Sequence, residues 1–440
     1  MDLFQTIQDF HQAQASNASY VIAFSGGVDS HVLLHLFANL RTIYPIQLKA
    51  IHINHSLSPN ADYWTRHCEK ICAELAVDFY TETIQAKPKA GESPEAAARR
   101  GRYGVFEKFL NARDILVTAH HQDDQAETVM LQLLRGAGPK GLAGMPKMKV
   151  FHHAQLARPL LSHARAEIEK YAEENHLSWI TDESNANTHY TRNYIRHDLL
   201  PLIAERWPSV GKTLARTAQH CAEMQMLLEE MAEEDLQRVW HPEAQTLSVS
   251  KLLSLTPARQ RQVLRLWLET LNYPMPSTAK LFQIQTDMLG AKIDKTPCVA
   301  WAHVELRRYQ DVLYAMPALV PHDAHLSYTW DWRQPLILPE VGVLQTVERQ
   351  GSGLNPDIAP VLVKYRDQGE TCRLPGRECH HSLKKLLQTW QVPTWERARL
   401  PLIYAGERLI AIPGYFMDEA YTVGEDAWGL EVFLEKNKAD

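Results

Sequence analysis

Cysteine is scarce in this sequence, and no two cysteines have the spacing of a redox or zinc-binding pair. Six occur in 440 residues, and none lies in a C-x-x-C motif. They are Cys68, Cys72, Cys221, Cys298, Cys372 and Cys379. A disulfide-stabilised scaffold and a zinc ribbon both need more cysteines at closer spacing, so neither is indicated. We expect the protein to work in the reducing cytoplasm.

Long apolar runs and an excess of basic charge are also missing. No apolar stretch approaches the roughly 20 residues that cross a bilayer, and the first residues lack the basic start and apolar core of a signal peptide. The net charge of −6 argues against a wholly basic nucleic-acid coat, although local basic patches are compatible with nucleic-acid binding. The length of 440 residues predicts two or three domains.

The first half of the chain alternates short apolar runs with amphipathic helical patterns. Strands are predicted at residues 20–24, 48–53, 77–84 and 114–119. Helices are predicted at residues 31–40, 62–75, 94–111 and 125–134. This alternation is typical of an α/β domain with a doubly wound parallel sheet. Ligands of such sheets lie at the carboxyl ends of the strands, where the motifs beginning at Ser25, His52 and His120 also fall.

The second half of the chain has a different pattern. Helix-forming residues dominate 212–239 and 257–271, whereas prolines punctuate the region that follows. Further on, residues 402–404 and 409–412 bracket Gly406 as a hairpin. We therefore predict an α/β domain at 1–212, a helical domain at 213–320, a linker or irregular region at 321–355, and a small α/β C-terminal domain at 356–440.

The sharpest motif follows the first predicted strand and is called here the phosphate loop (residues 25–30). Its sequence is Ser25-Gly26-Gly27-Val28-Asp29-Ser30. Two glycines allow a tight turn, the next helix presents free N–H groups to an anion, and the serines add hydroxyl donors. Asp29 is a poor direct contact for phosphate, so we expect it to hold Mg²⁺. The alternative is an ordinary Gly-Gly turn with a serine cap.

The phosphate loop lacks the lysine of the Walker A motif. This weakens the case for cleavage between the β- and γ-phosphates and leaves room for cleavage between the α- and β-phosphates with release of pyrophosphate. The hexapeptide resembles the S-G-G-x-D-S signature of the PP-loop ATP pyrophosphatases. That resemblance implies adenylation of an acceptor oxygen, release of pyrophosphate, and displacement of AMP by a nucleophile. The residues alone indicate only a phosphate site.

Further segments resemble one PP-loop family, the tRNA(Ile)-lysidine synthetases, from the phosphate loop to about residue 420. They include His52-Ile53-Asn54-His55, Glu95-Ala96-Ala97-Ala98-Arg99-Arg100-Gly101-Arg102-Tyr103, His120-His121-Gln122-Asp123-Asp124-Gln125-Ala126-Glu127-Thr128, Arg158-Pro159-Leu160-Leu161, Asp182-Glu183-Ser184-Asn185, Arg192-Asn193-Tyr194-Ile195-Arg196 and Leu374-Pro375-Gly376-Arg377. One segment departs from the family: Ser56-Leu57-Ser58 stands where Gly-Leu-Arg is frequent. In the family, the arginine of Gly-Leu-Arg normally contacts phosphate or tRNA, and Ser58 at that position puts this contact in doubt.

The resemblance implies a ligase that uses ATP and Mg²⁺. It would adenylate O2 of the wobble cytidine in a tRNA(Ile) with a CAU anticodon, and the ε-amine of free L-lysine would then attack C2 to give lysidine. Contacts to tRNA are expected in the helical and C-terminal domains, where basic residues recur around residues 259–265 and 384–399, and they should weaken with salt. No membrane contact is expected, and the sequence leaves a homodimer open.

Candidate site residues follow from the motifs together with the resemblance. The ATP site comprises the phosphate loop with His52 and His55, and the catalytic candidates are Asp29, Asp123, Asp124, Glu127, Arg102 and Arg192. Arginines suit the charge that builds on the α-phosphate, and Arg99 and Arg196 are candidate substrate contacts. The acids after residue 122 would hold lysine's ammonium, bind a metal or accept a proton, unless they only cap a helix.

Three other functions compete with this one. A PP-loop enzyme that inserts sulfur needs a reactive cysteine pair or an iron–sulfur cluster, and Cys68 and Cys72 lack the C-x-x-C spacing. An amidating enzyme needs an ammonia source, and no glutaminase signature precedes the phosphate loop. A non-catalytic tRNA-binding protein would not need the intact acids. Adjacent histidines such as His120-His121 are poorly spaced as zinc ligands.

Overall fold

The computed structural model describes residues 2–14, 18–56, 58–85, 87–88, 94–183, 187–292, 295–367, 369–373 and 380–436. Leu57, Ser184, Asn185, Cys379 and the motif at residues 374–377 therefore lie outside the described residues, as does the side chain of Glu95. The chain divides into two compact units, Met1–Leu228 and Glu229–Asp440. Within the described part, no helix is long and apolar enough to cross a membrane.

The first unit is built on a six-stranded sheet. Its strands are β1 (Ser19–Ala23), β2 (Gln47–Asn54), β3 (Asp78–Thr83), β4 (Asp114–Val117), β5 (Met148–Phe151) and β6 (Ala154–Ala157). Their order is β3-β2-β1-β4-β6-β5, and every neighbouring pair is parallel except β5 with β6. The predicted doubly wound parallel sheet is confirmed.

Helices cover both faces of this sheet. On one face lie α1 (Leu3–Gln12), α2 (Val28–Arg41), α3 (Ala61–Glu74) and α7 (Arg165–Glu174), and on the other lies α4 (Pro94–Phe109). The other helices of this part of the chain are α5 (Gln122–Leu134), α6 (Pro139–Leu142), α8 (Thr191–Tyr194), α9 (Leu200–Arg206) and α10 (Val210–Val239). On β1, Tyr20 and Ile22 join the core under α1, α2, α3 and α7, whereas Val21 joins the core under α4. This alternation explains why β1 is apolar throughout: both of its faces are buried.

The strand order fixes where a ligand can bind. The chain runs from β1 outward through β2 to β3 and then returns to place β4 on the other side of β1. Such a reversal opens a crevice at the carboxyl ends of the two strands beside it. The phosphate loop leaves β1 at this point, and the loop that begins at Thr118 leaves β4 there.

The second unit begins with helices and an antiparallel sheet. The predicted helices are present as the end of α10 and as α12 (Pro257–Thr270), with α11 (Val249–Leu253) and α13 (Thr278–Gln283) beside them. They pack around Trp267 against a sheet that the sequence did not predict. Its order is β7-β8-β11-β10-β9, from β7 (Trp240–His241), β8 (Thr246–Ser248), β9 (Cys298–Trp301), β10 (Val304–Tyr309) and β11 (Val312–Pro317).

The C-terminal part of the second unit is rich in strands. They are β12 (Ser327–Trp330), β13 (Leu336–Leu338), β14 (Gly342–Gln350), β15 (Val361–Lys364), β16 (Thr371–Arg373), β17 (His380–Ser382), β18 (Leu402–Ala405), β19 (Arg408–Ile412), β20 (Phe416–Met417) and β21 (Trp428–Lys436). Short α-helices α14 (Leu383–Thr389) and α15 (Thr394–Arg397) accompany them. The predicted hairpin is confirmed, because β18 and β19 pair antiparallel.

The region at 321–355 differs from the predicted linker or irregular region. It contains β12, β13 and β14, and these pair with β15 and β21 of the C-terminal part. Two of the prolines that suggested a linker flank a strand: Pro335 precedes β13 and Pro339 follows it. Trp330 and Trp332 are buried and pack edge to face, with ring centroids 4.8 Å apart.

Candidate active site

The conformation of the phosphate loop depends on Gly26. This residue has a φ of +85°, in the left-handed region that favours glycine. A Cβ atom here would lie 2.9 Å from Sγ of Cys68 and 3.1 Å from Cδ1 of Ile180. Both the backbone angle and the close neighbours therefore require glycine at this position.

The serines and the start of α2 shape the rest of the loop. Ser30 Oγ donates to the carbonyl of Gly27 at 3.0 Å and lies 3.0 Å from Ser25 Oγ. The helix begins at Val28 after Gly27, so its N-terminus has no side-chain cap. Free N–H groups and the positive end of the helix dipole at this point suit an anion. The loop thus keeps its shape through its own hydroxyls and offers backbone donors to phosphate.

Asp29 lies in the first turn of α2 with its Oδ1 buried and, within the described chain, without a hydrogen-bond partner. His121 Nε2 lies 3.8 Å from this oxygen. Burial raises the pKa of Asp29, and the charges of His121 and Arg165 oppose part of the rise. A buried carboxylate oxygen without a partner suits a hard divalent cation. The described residues contain no group of three or more metal-ligating side chains, so water and phosphate oxygens would complete an Mg²⁺ shell.

Asp124, Glu127, Arg192 and Arg196 form an acid–arginine cluster. Arg192 reaches Glu127 through Nε at 2.7 Å and Asp124 through a terminal nitrogen at 3.0 Å. Arg196 likewise donates from Nε to Glu127 at 2.5 Å and from a terminal nitrogen to Asp124 at 3.0 Å. The Glu127 side chain is only 1% exposed and that of Asp124 13%, whereas each arginine side chain is 23% exposed. Two buried acids are thus paired with two partly accessible guanidinium groups.

The helical geometry explains this pairing. Asp124 and Glu127 are three apart on α5, and Arg192 and Arg196 are four apart on the helical segment 191–206. Each pair therefore projects from one face of its helix. Burial acts to raise the pKa of Asp124, but His121 and Arg192 outweigh it and the pKa is lowered. The arginines, expected at phosphate or cytidine, contact carboxylates in this structure.

His121 links the phosphate loop to the acid–arginine cluster. Its side chain is 2% exposed, and its Nε2 lies 3.4 Å from Asp124 Oδ2 and 3.8 Å from Asp29 Oδ1. The motif containing His121 was found from sequence, but its place between two carboxylates was not predicted. Asp123 Oδ2 lies 3.8 Å from His121 Nδ1 and accepts a hydrogen bond from the backbone of Arg165 at 3.0 Å. Both acids cap a helix: Asp123 caps the start of α7, and Asp124 Oδ2 accepts from the backbone N–H of His121 at the start of α5 at 3.1 Å. Asp124 contacts the two arginines as well.

A pocket opens beside the phosphate loop at the carboxyl end of β2. Its polar lining includes His52, His55, Arg102 and Asp182. His52 Nδ1 donates to the carbonyl of Phe24 at 2.9 Å. His55 Nε2 lies 3.2 Å from a terminal nitrogen of Arg102, and burial together with Arg102 lowers the pKa of His55 to about 4. In a continuous strand, residues three apart project from opposite faces of the sheet, so His52 and His55 would be separated. Because β2 ends at Asn54, His55 is free of this alternation and lines the same pocket as His52.

Arg99 and the two serines that depart from the family pattern lie apart from these contacts. The Arg99 guanidinium lies over the Tyr103 ring, 4.9 Å from its centroid. Ser56 has a φ of +51° and donates its backbone N–H to Asn54 Oδ1 at 2.8 Å. Ser58 Oγ accepts from the backbone of Asn60 at 3.1 Å. The two serines stabilise local turns and supply no cation.

The thiols of Cys68 and Cys72 in the first unit are not nucleophilic. Both are buried on α3, and burial raises the pKa of each thiol to about 12. Both are therefore protonated at neutral pH, whereas nucleophilic sulfur chemistry uses the thiolate. In the predicted basic patch at residues 259–265, Arg259 makes two 2.6 Å hydrogen bonds to the buried carboxylate of Asp235.

Comparison with known proteins covers both units. Residues 2–203 match the family model of a PP-loop domain, residues 247–314 that of the TilS substrate binding domain, and residues 361–433 that of the TilS substrate C-terminal domain. A tRNA(Ile)-lysidine synthase from Coxiella burnetii is 42% identical over 96% of this chain and 94% of that protein. Those from Alkalilimnicola ehrlichii and Methylococcus capsulatus are 41% and 39% identical, over 91% and 93% of this chain and 91% and 94% of theirs.

Proposed function

The chain belongs to the tRNA(Ile)-lysidine synthase family, and on this basis we propose that it is an ATP-dependent ligase that forms lysidine on tRNA(Ile). Within the site, the observation that supports this proposal is that the phosphate loop and helix α5 lie side by side. The phosphate loop and the helix α5, which supplies the acids of the acid–arginine cluster, follow adjacent parallel strands, and His121 stands between them. One element suits ATP and the other suits an amino acid, as the reaction requires.

The first step transfers AMP to the wobble cytidine of a tRNA(Ile) with a CAU anticodon. Cytidine O2 attacks the α-phosphorus, and the bond to the β-phosphate breaks to release pyrophosphate. The phosphate loop binds the phosphates through the backbone donors at the start of α2, and His52, His55 and Arg102 line the adjoining nucleotide pocket. Asp29 would hold Mg²⁺, which when bound neutralises phosphate charge. The positive charge of Arg102 in the same pocket would further stabilise the negative charge that builds on the α-phosphate.

The second step needs bound lysine. The cluster presents carboxylates to an ammonium group and guanidinium groups to a carboxylate, a pattern that matches a free amino acid. We assign Asp124 to lysine's ammonium and Arg192 and Arg196 to its carboxylate, while the buried Glu127 holds the two arginines in place. The ε-amine has a pKa of about 10.4 in water and must lose a proton before it attacks C2. The bond between C2 and O2 then breaks, AMP leaves with O2 attached to its phosphorus, and lysidine forms.

The second unit provides the remaining contacts to tRNA in this proposal. Its matches to substrate-binding and C-terminal domain models support that role. Phosphate contacts made by lysine and arginine would weaken as salt rises. We place the reaction in the cytoplasm, where tRNA and ATP are available.

Insertion of sulfur is the main competing function within PP-loop enzymes, and the buried thiols argue against it. Neither Cys68 nor Cys72 is ionised at neutral pH, because burial raises their pKa values to about 12. Cys68 also packs beneath Gly26, since a Cβ atom on that glycine would lie only 2.9 Å from the Cys68 sulfur. Its role is therefore to support the phosphate loop.

Incorporation of labelled lysine tests the proposal. The full chain is incubated with ATP, Mg²⁺, labelled L-lysine and tRNA(Ile) bearing CAU, and label in the tRNA is counted. We expect one lysine per tRNA with equal release of AMP and pyrophosphate. A tRNA(Met), which also carries CAU, serves as the control acceptor. Transfer of sulfur or binding of tRNA without incorporation would refute the proposal.

A further inference from the structure

His31, the residue that follows the phosphate loop, has no part in the reaction described above. It lies in the first turns of α2 and is 5% exposed. Its Nδ1 lies 2.7 Å from the carbonyl oxygen of Ser178. Because a carbonyl only accepts, the imidazole Nδ1 carries the proton and donates it. Burial lowers the pKa of His31, which keeps the ring in this neutral state.

The acceptor belongs to an irregular segment, residues 178–182, that follows α7. Ile180 donates its backbone N–H to the carbonyl of Gly26 at 2.9 Å. The Ile180 side chain lies 3.1 Å from the place where a Cβ on Gly26 would stand. The 178–182 segment therefore lies directly against the Gly-Gly turn of the phosphate loop.

The far end of the same segment enters the nucleotide pocket. Asp182 lines that pocket with His55 and Arg102, and its charge acts on His55. Segment 178–182 has no helix or strand of its own. Its position thus depends on individual hydrogen bonds, of which His31 to Ser178 and Ile180 to Gly26 join it to the phosphate-loop region.

We propose that His31 is a positioning residue for ATP binding: its hydrogen bond to Ser178 holds the 178–182 segment against the phosphate loop and places Asp182 in the nucleotide pocket. This inference rests on the proposed function, since it assigns ATP to that pocket. His31 touches no substrate. It acts through the segment, so its loss should weaken ATP binding and leave lysine binding unchanged.

Substitutions of His31 test this role, because some of them keep a donor that can reach the Ser178 carbonyl and others do not. In His31→Asn, the side-chain amide nitrogen occupies nearly the position that Nδ1 of His31 has in the wild type. In His31→Gln, the amide nitrogen instead occupies nearly the position of Nε2. We expect His31→Asn to bind ATP like the wild type. His31→Gln and His31→Leu should raise the Kd and KM for ATP about fivefold, the worth of one hydrogen bond of about 1 kcal/mol, with an unchanged KM for lysine.

His35 offers a matched control one turn further along α2. Its Nδ1 lies 3.0 Å from the hydroxyl of Tyr171 on α7, so it packs in the same helix interface without reaching the segment. His35→Leu should lower the protection of α2 against native-state hydrogen exchange but leave the Kd for ATP unchanged.

Binding of ATP to the full chain without tRNA, measured by equilibrium dialysis, separates the inference from the function. An unchanged Kd in His31→Gln would overturn the inference, and so would an equal effect of His35→Leu, which would indicate general packing. A wild type that binds ATP but forms no lysidine would refute the proposed function instead.

Discussion

Removing one charge from the acid–arginine cluster gives a sharp test of what holds the site together. Glu127→Gln keeps the size of the side chain and removes its charge. In the wild type, Glu127 accepts from Arg192 at 2.7 Å and from Arg196 at 2.5 Å and 3.1 Å. Gln would turn an N–H₂ group towards one of these guanidinium groups, so a hydrogen bond would become a repulsive contact between donors.

The expected cost follows from burial. Breaking a buried ion pair by removing one partner costs roughly 3–5 kcal/mol. Because each arginine side chain is 23% exposed, solvent screens part of the remaining charge, and we expect the low end, about 3 kcal/mol. The KM for lysine should rise at least about tenfold, since a factor of ten corresponds to about 1.4 kcal/mol of lost binding. The KM for ATP should not change.

Native-state hydrogen exchange in β1 and β4 is the appropriate stability assay, since one global unfolding free energy is not defined for a chain with two compact units. Glu174→Gln is the control, because Glu174 is 61% exposed and 3.7 Å from Lys170. An exposed pair of this kind contributes at most about 0.5–1 kcal/mol. A Glu127→Gln protein as stable as the control would refute the account of the cluster.

Three further predictions concern the phosphate loop and its pocket. Asp29→Ala should abolish pyrophosphate release but leave tRNA retention on filters near the wild-type level; lost tRNA binding would place Asp29 in the wrong role. Gly26→Ala should weaken ATP binding by at least about tenfold, because its φ is +85° and its Cβ would meet Cys68 Sγ at 2.9 Å. Gly104→Ala on α4, with open space around it, should leave ATP binding unchanged. The free energy of unfolding of the first unit should fall as pH falls from about 6.5 to about 4, because the pKa of His55 is lowered to about 4 in the folded chain and the unfolded chain takes up a proton across that window. His55→Gln should flatten this slope in urea titrations, and an unchanged slope would contradict the assignment.

The fold of the first unit was predictable because its signals are local. Each strand of the parallel sheet is a short apolar run followed by a helical pattern, and β1 through β4 lie within a residue or two of the predicted positions. The topology then placed the phosphate loop and the His120 motif at neighbouring strand ends. Local patterning and one topological rule were sufficient for this part of the molecule.

The sheet in the second unit was missed although β9, β10 and β11 pair as consecutive hairpins; only the pairing of β8 with β11 is not local. The strands β7 and β8 are two and three residues long, and β8 pairs with β11 across three intervening helices. Strands this short show no clear alternation of apolar and polar residues. The prolines near β13 flank a strand of a sheet, although in sequence they resembled a linker.

The contents of the site were predicted better than its contacts. The sequence identified Glu127, Arg192 and Arg196 as candidates, but nothing in the sequence indicates that Arg192 pairs with an acid 65 residues away. Residue type and motif reveal which charges are present, whereas tertiary packing decides which of them meet. Asp123 and Asp124 show the same limit, since adjacent acids point to different helices.

Transfer of labelled lysine to tRNA(Ile) bearing CAU, measured together with release of pyrophosphate, tests the central claim most directly. We predict that lysine incorporation requires ATP, that one pyrophosphate leaves for each lysine incorporated, and that Asp29→Ala abolishes both. Pyrophosphate release without lysine in the tRNA, or incorporation that persists in Asp29→Ala, would contradict it.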